Sequence, residues 1–163
     1  ILIQFYVLDK IHVHQMVTPY IYYLFIAWMP FRLNRSLQMI LAFILGFTLD
    51  SFRHSPGFHA SACVLIAYLR PFFINILIPQ EGADSNYEEP SVKSLGGFFQ
   101  YIVYTGLLTV IHHAWLFFLE ALEFGNFWYF IFKTLLSTAI SLILIFVTEA
   151  LFSRKQKFRT NTA

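Results

Sequence analysis

Two groups of residues have the types that could do chemistry. The stretch LGFTLDSFRHSPGFHASACVLIAYLRP, from Leu45 to Pro71, holds Asp50, Arg53, His54, His59 and Arg70. The run HHAWLFFLEA, from His112 to Ala121, holds His112, His113 and Glu120. Imidazoles beside a carboxylate are ligands that zinc takes, and they are also common agents of proton transfer. The spacing argues against a metal. A helical H-E-x-x-H site places two histidines on one face, whereas the adjacent His112 and His113 project ~100° apart on a helix. No nucleophile stands at a recognisable distance from a base, and no glycine-rich phosphate loop is present. Catalytic, cofactor and metal residues are therefore not expected. The single cysteine, Cys63, excludes an internal disulfide and sits among apolar residues as a small packing residue.

The segments that carry these groups are far more apolar than a soluble domain. Of 163 residues, 58% are hydrophobic, 20% aromatic and only 12% charged, against ~25% charged in ordinary soluble domains. The mean hydropathy is +0.62. An integral membrane protein follows, arranged as one compact all-α polytopic bundle. A spanning helix needs ~20 mostly apolar residues, and the apolar runs fall at about 16–31, 37–50, 57–78, 97–122 and 127–152. Residues 1–8 read as the end of a further apolar segment that begins before Ile1, which makes about six transmembrane helices with the first truncated. The run 37–50 is short for a span and implies bilayer thinning or a protein-lined vestibule. The apolar runs are continuous rather than alternating, which excludes an outer-membrane barrel.

The longest connection, 79–94, reads PQEGADSNYEEPSVKS, a polar acidic loop that either is simply solvated or docks a partner. Positive charge sets orientation. With six helices, Arg32, Arg35, Lys93 and the tail residues Arg154, Lys155, Lys157 and Arg159 share one side, and Lys10, Arg53 and Lys133 the other. The basic tail 153–163 is then cytoplasmic and meets the lipid surface or a partner. Nothing else points to nucleic acid.

Charge inside a bilayer costs about 2.5–3.5 kcal/mol for a central arginine, so such a residue faces protein or water. Arg70 shares a helical face with His59, Cys63 and Ala67, while Leu65, Tyr68 and Phe72 lie opposite. The small, polar side should face the bundle. Pro71 removes a backbone donor beside Arg70 and should bend the helix there. Ala42, Gly46 and Asp50 recur at four-residue spacing. Gly106, Thr109, His113 and Glu120 share another face, and Thr134, Ser137, Thr138, Ser141 and Thr148 form a hydroxyl stripe with Glu149 at its edge. These stripes are packing seams or the lining of a polar cavity. By depth, Arg70 and Glu149 are candidates for an ion pair.

The Gly46 and Asp50 pair, the short polar turn, and Ser55-Pro56-Gly57-Phe58-His59-Ala60 together resemble the signature of the MreD family, the small membrane component of the bacterial rod-shape (elongation) system. Thr18-Pro19-Tyr20, Arg70-Pro71-Phe72 and His112–Ala121 resemble further segments of that family. The likeness covers nearly the whole chain. It implies a six-helix fold similar to the substrate-binding subunits of energy-coupling-factor vitamin transporters, in the bacterial cytoplasmic membrane. It also implies a non-enzymatic scaffold that associates with MreC, and through it with MreB filaments, RodA and its transpeptidase, to maintain rod shape during peptidoglycan synthesis. No catalytic residues come with the family.

The candidate structural and partner-contact residues are Gly46, Asp50, Arg53, Pro56, Gly57, His59, Arg70, His113, Glu120 and Glu149. Asp50 can accept from the first-turn amides of the following helix, or pair with Arg53 or His54. The turn from Asp50 to His59 would then present a shaped surface to an MreC-like partner. The competing reading is a small-molecule transporter subunit whose polar cavity binds a vitamin-type ligand.

Overall fold

The computed structural model describes residues 18–77, 89–92, 94–124 and 127–151. The described residues are all-helical, with no strand among them. In chain order they form α1 (Leu24–Ala27), α2 (Arg35–Arg53), α3 (Phe58–Leu77), α4 (Phe98–Phe124) and α5 (Phe127–Leu151). The segment 1–8, most of the loop 79–94 and the tail 153–163 lie outside the described residues.

Four of these helices, α2 to α5, are long and apolar enough to cross a membrane. In hydrocarbon every backbone group must be satisfied internally, and a continuous helix does that. The run expected at 37–50 is longer in the structure, 19 residues from Arg35 to Arg53. That is ~28 Å, close to the thickness of the bilayer core, so α2 needs no thinned membrane. Near its end Thr48 and Ser51 satisfy their hydroxyls on the carbonyls of Ile44 (2.7 Å) and Phe47 (2.9 Å) one turn back. The helix α3 continues through Pro71 without a break.

The long helices pack in sequence order, α2 on α3, α3 on α4 and α4 on α5. Contacts between them run in opposite directions: Arg35 meets Tyr68 while Gly46 meets Ala60, and Tyr101 meets Glu149 while His113 meets Ser141. The helices are therefore antiparallel neighbours. Arg35 lies at the same end as the close of α5, and Arg53 lies at the end where α4 turns into α5.

The outside is apolar, and polar side chains are buried within a hydrophobic core. Phe43, Phe47, Phe72, Leu135 and Ile143 are exposed, whereas His59, Arg70, Thr109, His112, His113, Ser137 and Ser141 are buried. A soluble protein has the opposite arrangement. Without a hydrophobic drive between helices, packing of small residues and interhelical hydrogen bonds must hold them together. The chain is accordingly a membrane protein.

The expected span at 16–31 is not a span. Among its described residues, 18–31, only one turn, α1, is helical, and residues 18–23 run irregularly into it. Pro19 and Pro30 bracket the stretch and cannot supply helical donors. The backbone bonds that a helix would provide are made by other elements. Ser137 accepts from the Thr18 amide (3.1 Å) and Ser141 from the Tyr20 amide (3.0 Å), while Tyr104 donates to the Ala27 carbonyl (2.9 Å). Irregular backbone is tolerated in a membrane protein where protein covers it. Here Tyr20, Tyr23, Ile26 and Ala27 are all almost fully buried.

Candidate functional site

The opening stretch folds into one interlocked corner. On α2, Ala42, Gly46 and Asp50 face α3 and are buried. A Cβ on Gly46 would lie 2.5 Å from the Ala60 Cα and 2.6 Å from the His59 carbonyl oxygen, so only glycine permits this approach. The helix α2 then ends in a left-handed turn at His54 (φ 54°), with the Ser55 amide returning to the Asp50 carbonyl (3.1 Å). Gly57 has φ 89° and open space around its α-carbon, so backbone conformation rather than room requires glycine there. Pro56 is exposed between them.

Of the alternatives open to Asp50, the structure has the amides. Its Oδ1 accepts from the His59 amide (3.0 Å) and the Ser55 hydroxyl (2.5 Å), and its Oδ2 from the Ala60 amide (2.8 Å). A side chain of α2 thus caps α3, and its negative charge sits at the positive end of that helix. It pairs with neither Arg53 nor His54. Removing the carboxylate leaves two amides and a hydroxyl without their acceptor. Asp50→Ala should cost about 1–2 kcal/mol and Asp50→Asn less, read as a lower melting temperature in detergent. An unchanged melt for Asp50→Ala would show that the cap contributes nothing.

Arg53 turns inward instead. It donates to the Tyr20 hydroxyl and approaches His59 Nε2 (3.5 Å), with its guanidinium 5.3 Å from the Tyr20 ring centre. From there a buried polar cluster runs across the bundle. The Tyr22 hydroxyl lies 2.8 Å from both His59 Nδ1 and His112 Nε2. Tyr23 stacks on His112 at 4.4 Å and donates to Thr109 (2.8 Å). His113 donates from Nδ1 to the Thr109 carbonyl (2.9 Å) and accepts at Nε2 from Ser141 (3.2 Å). His112 and His113 therefore serve different partners, as their ~100° divergence on a helix requires.

At the opposite end, the expected Arg70–Glu149 ion pair is not formed. Arg70 is buried and donates to three neutral oxygens: Tyr104 Oη (3.1 Å), Gln38 Oε1 (3.1 Å) and the Met29 carbonyl. Glu149 accepts from Tyr101 (2.8 Å), which in turn accepts from Trp28 (3.1 Å). Both residues hold the segment 18–34 in place, by separate routes. Glu120 is also separate from the histidines, since it pairs with Lys133, whose ammonium lies over the Phe117 ring at 4.6 Å. Gly106, placed in a seam by its spacing, has open space where a Cβ would go and brings no helix closer.

Tyr22, Tyr23, Gln38 and Tyr104 are members that sequence reasoning missed, and Tyr20 entered only through the family resemblance. Gln38, a lone amide in the apolar run of α2, was the visible signal. Tyr22 and Tyr23 were hidden in the apolar run 16–31, and Tyr104 in the run 97–122. Outside the corner, α2, α3 and Trp115 enclose an open groove of about 1090 Å³, walled by Phe43, Phe47 and Tyr68, with Ser51, His54 and Ser61 among its polar lining. Trp115 Nε1 donates to Ser61 (3.2 Å) at its side.

Comparison with protein-family models, with curated proteins and with solved structures finds no match for this chain.

Proposed function

We propose that this chain is an MreD-type membrane scaffold of the bacterial cell-elongation system. In this reading it sits in the cytoplasmic membrane with its basic tail inside. It binds an MreC-like bitopic protein, and through it MreB filaments, RodA and the associated transpeptidase. The observation that supports the reading is the coincidence of motif and corner. The residues that carry the resemblance, Gly46, Asp50 and Ser55 to Ala60, are those that lock α2 to α3 and shape the turn between them. A scaffold needs a rigid, shaped surface rather than a reacting group, and this corner supplies one beside an open groove.

The test is depletion of the protein followed by microscopy, together with affinity purification from intact membranes. The expected result is loss of rod shape and stable co-purification of the bitopic partner. Cells that keep their shape, with no such partner recovered, would overturn the proposal. Saturable binding of a small ligand coupled to an ATPase would favour a transporter subunit instead.

A further inference from the structure

The proton positions in the buried cluster can be derived, and they leave one donor over. Arg53 is permanently protonated and has no lone pair, so it can only donate to His59 Nε2 (3.5 Å). His59 Nε2 is then an acceptor, and its proton resides on Nδ1, which donates to the Tyr22 oxygen (2.8 Å). The Tyr22 hydroxyl has a single proton. Cys63 also contacts it, but a thiol sulfur is a weak acceptor beside an imidazole nitrogen. The Tyr22 proton therefore goes to His112 Nε2 (2.8 Å). That fixes the His112 proton on Nδ1.

His112 is completely buried, and its Nδ1 has no hydrogen-bond partner. The neighbouring His113 shows what a satisfied ring looks like in this bundle, with its Nδ1 on the Thr109 carbonyl and its Nε2 taken by Ser141. The seam where residues 18–20 meet α5 is under-satisfied in the same way. The hydroxyls of Thr18, Thr134 and Thr138 are buried without a partner, although the Thr18 amide is held by Ser137 (3.1 Å).

We infer that His112 Nδ1–H donates to an ordered internal water, held at the end of a hydrogen-bond chain that runs Arg53 to His59 to Tyr22 to His112. Buried polar groups that protein leaves unpaired are the usual hosts of such waters, which typically make about three hydrogen bonds. Carbonyls of the preceding α4 turn offer the remaining partners, because a helical bond uses only one of their two lone pairs. The site lies beneath the corner and beyond the scaffold reading, and its polarity is set from the surface side by Arg53.

The full chain, labelled with ¹⁵N-histidine and held in lipid nanodiscs, tests this by NMR. The expected spectrum shows both His59 and His112 protonated at Nδ1, with magnetisation transfer from water to the His112 Nδ1 proton. Tyr22→Phe removes the donor to His112 Nε2, and should shift His112 toward the Nε2–H form while His59 keeps Nδ1–H. An Nε2–H tautomer at His112 in the unaltered protein would overturn the derived polarity. An Nδ1 proton that receives magnetisation from no water, or from a carbon-bound ligand proton, would overturn the internal water. An unchanged His112 tautomer in a folded Tyr22→Phe protein would show that the chain does not set it. The unaltered protein decides the question if that variant does not fold.

Discussion

Gly46→Val is expected to abolish recovery of folded protein, and Gly46→Ala to lower its melting temperature sharply. The added methyl of alanine meets backbone, with the Ala60 Cα at 2.5 Å and the Ala60 nitrogen at 2.7 Å, so no side-chain rotation can relieve it. Either α2 and α3 separate or the Asp50 cap stretches. Overpacking costs about 1–3 kcal/mol in ordinary cores, and a clash with backbone belongs at the upper end. Alanine recovers about 1 kcal/mol through its higher helix propensity, so the net loss for Gly46→Ala is about 2 kcal/mol. Valine has a smaller gain of this kind and adds two more methyl groups. Gly106→Ala is the control, because nothing lies within 4 Å of its Cβ position, and it should melt at or slightly above the parent temperature. Size-exclusion with thermal challenge in detergent separates these outcomes. Equal melting of Gly46→Ala and the parent would mean that the close crossing is not what holds the two helices.

Arg70→Met should have an effect of similar size by a different route. Methionine fills much of the same space but leaves Gln38 Oε1 and the Met29 carbonyl buried without their donor. Tyr104 keeps its bond to Ala27. Hydrogen bonds to a charged group contribute about 1.5–3 kcal/mol each, and each buried neutral oxygen left without its donor costs about 1–3 kcal/mol. Arg70→Lys should fall between, since one ammonium cannot reach three oxygens set around a planar fork. The segment 18–34 should loosen first, so limited proteolysis there is the sharper measurement. A parental melting temperature and cleavage pattern for Arg70→Met would show that the segment is held without the guanidinium.

The two longest helices were legible almost to the residue. Expected at 97–122 and 127–152, they run Phe98–Phe124 and Phe127–Leu151, because nothing in an uninterrupted apolar run competes with the helix. The inward face of α3 was equally readable from small residues on one side and Tyr68 and Phe72 on the other. The stretch 16–31 failed for a physical reason. Hydropathy counts apolar atoms, but whether the Tyr20 amide bonds within a helix or to Ser141, 121 residues away, is a matter of tertiary contact. Arg70 failed similarly. Charge sign suggested Glu149, while the acceptors used are oxygens of Met29, Gln38 and Tyr104, and a carbonyl position is not written in residue types. The Asp50 cap was among the stated alternatives because its partners lie only nine and ten residues ahead.

The bonds from Thr18 and Tyr20 to Ser137 and Ser141 bear on the order of assembly during synthesis. Residues separated by 119 and 121 positions must meet. At typical translation speeds the earlier partner leaves the ribosome roughly ten seconds before the later one. During that interval the Thr18 and Tyr20 amides lack their final acceptors, so they must stay hydrated near the lipid surface or in the insertion machinery. The hairpin of α2 and α3 can close at once, since its contacts are local. A nascent chain halted before α5 could already seat Tyr22, Tyr23, Ala27 and Met29 on α3 and α4, but would leave the Thr18 and Tyr20 amides without their acceptors.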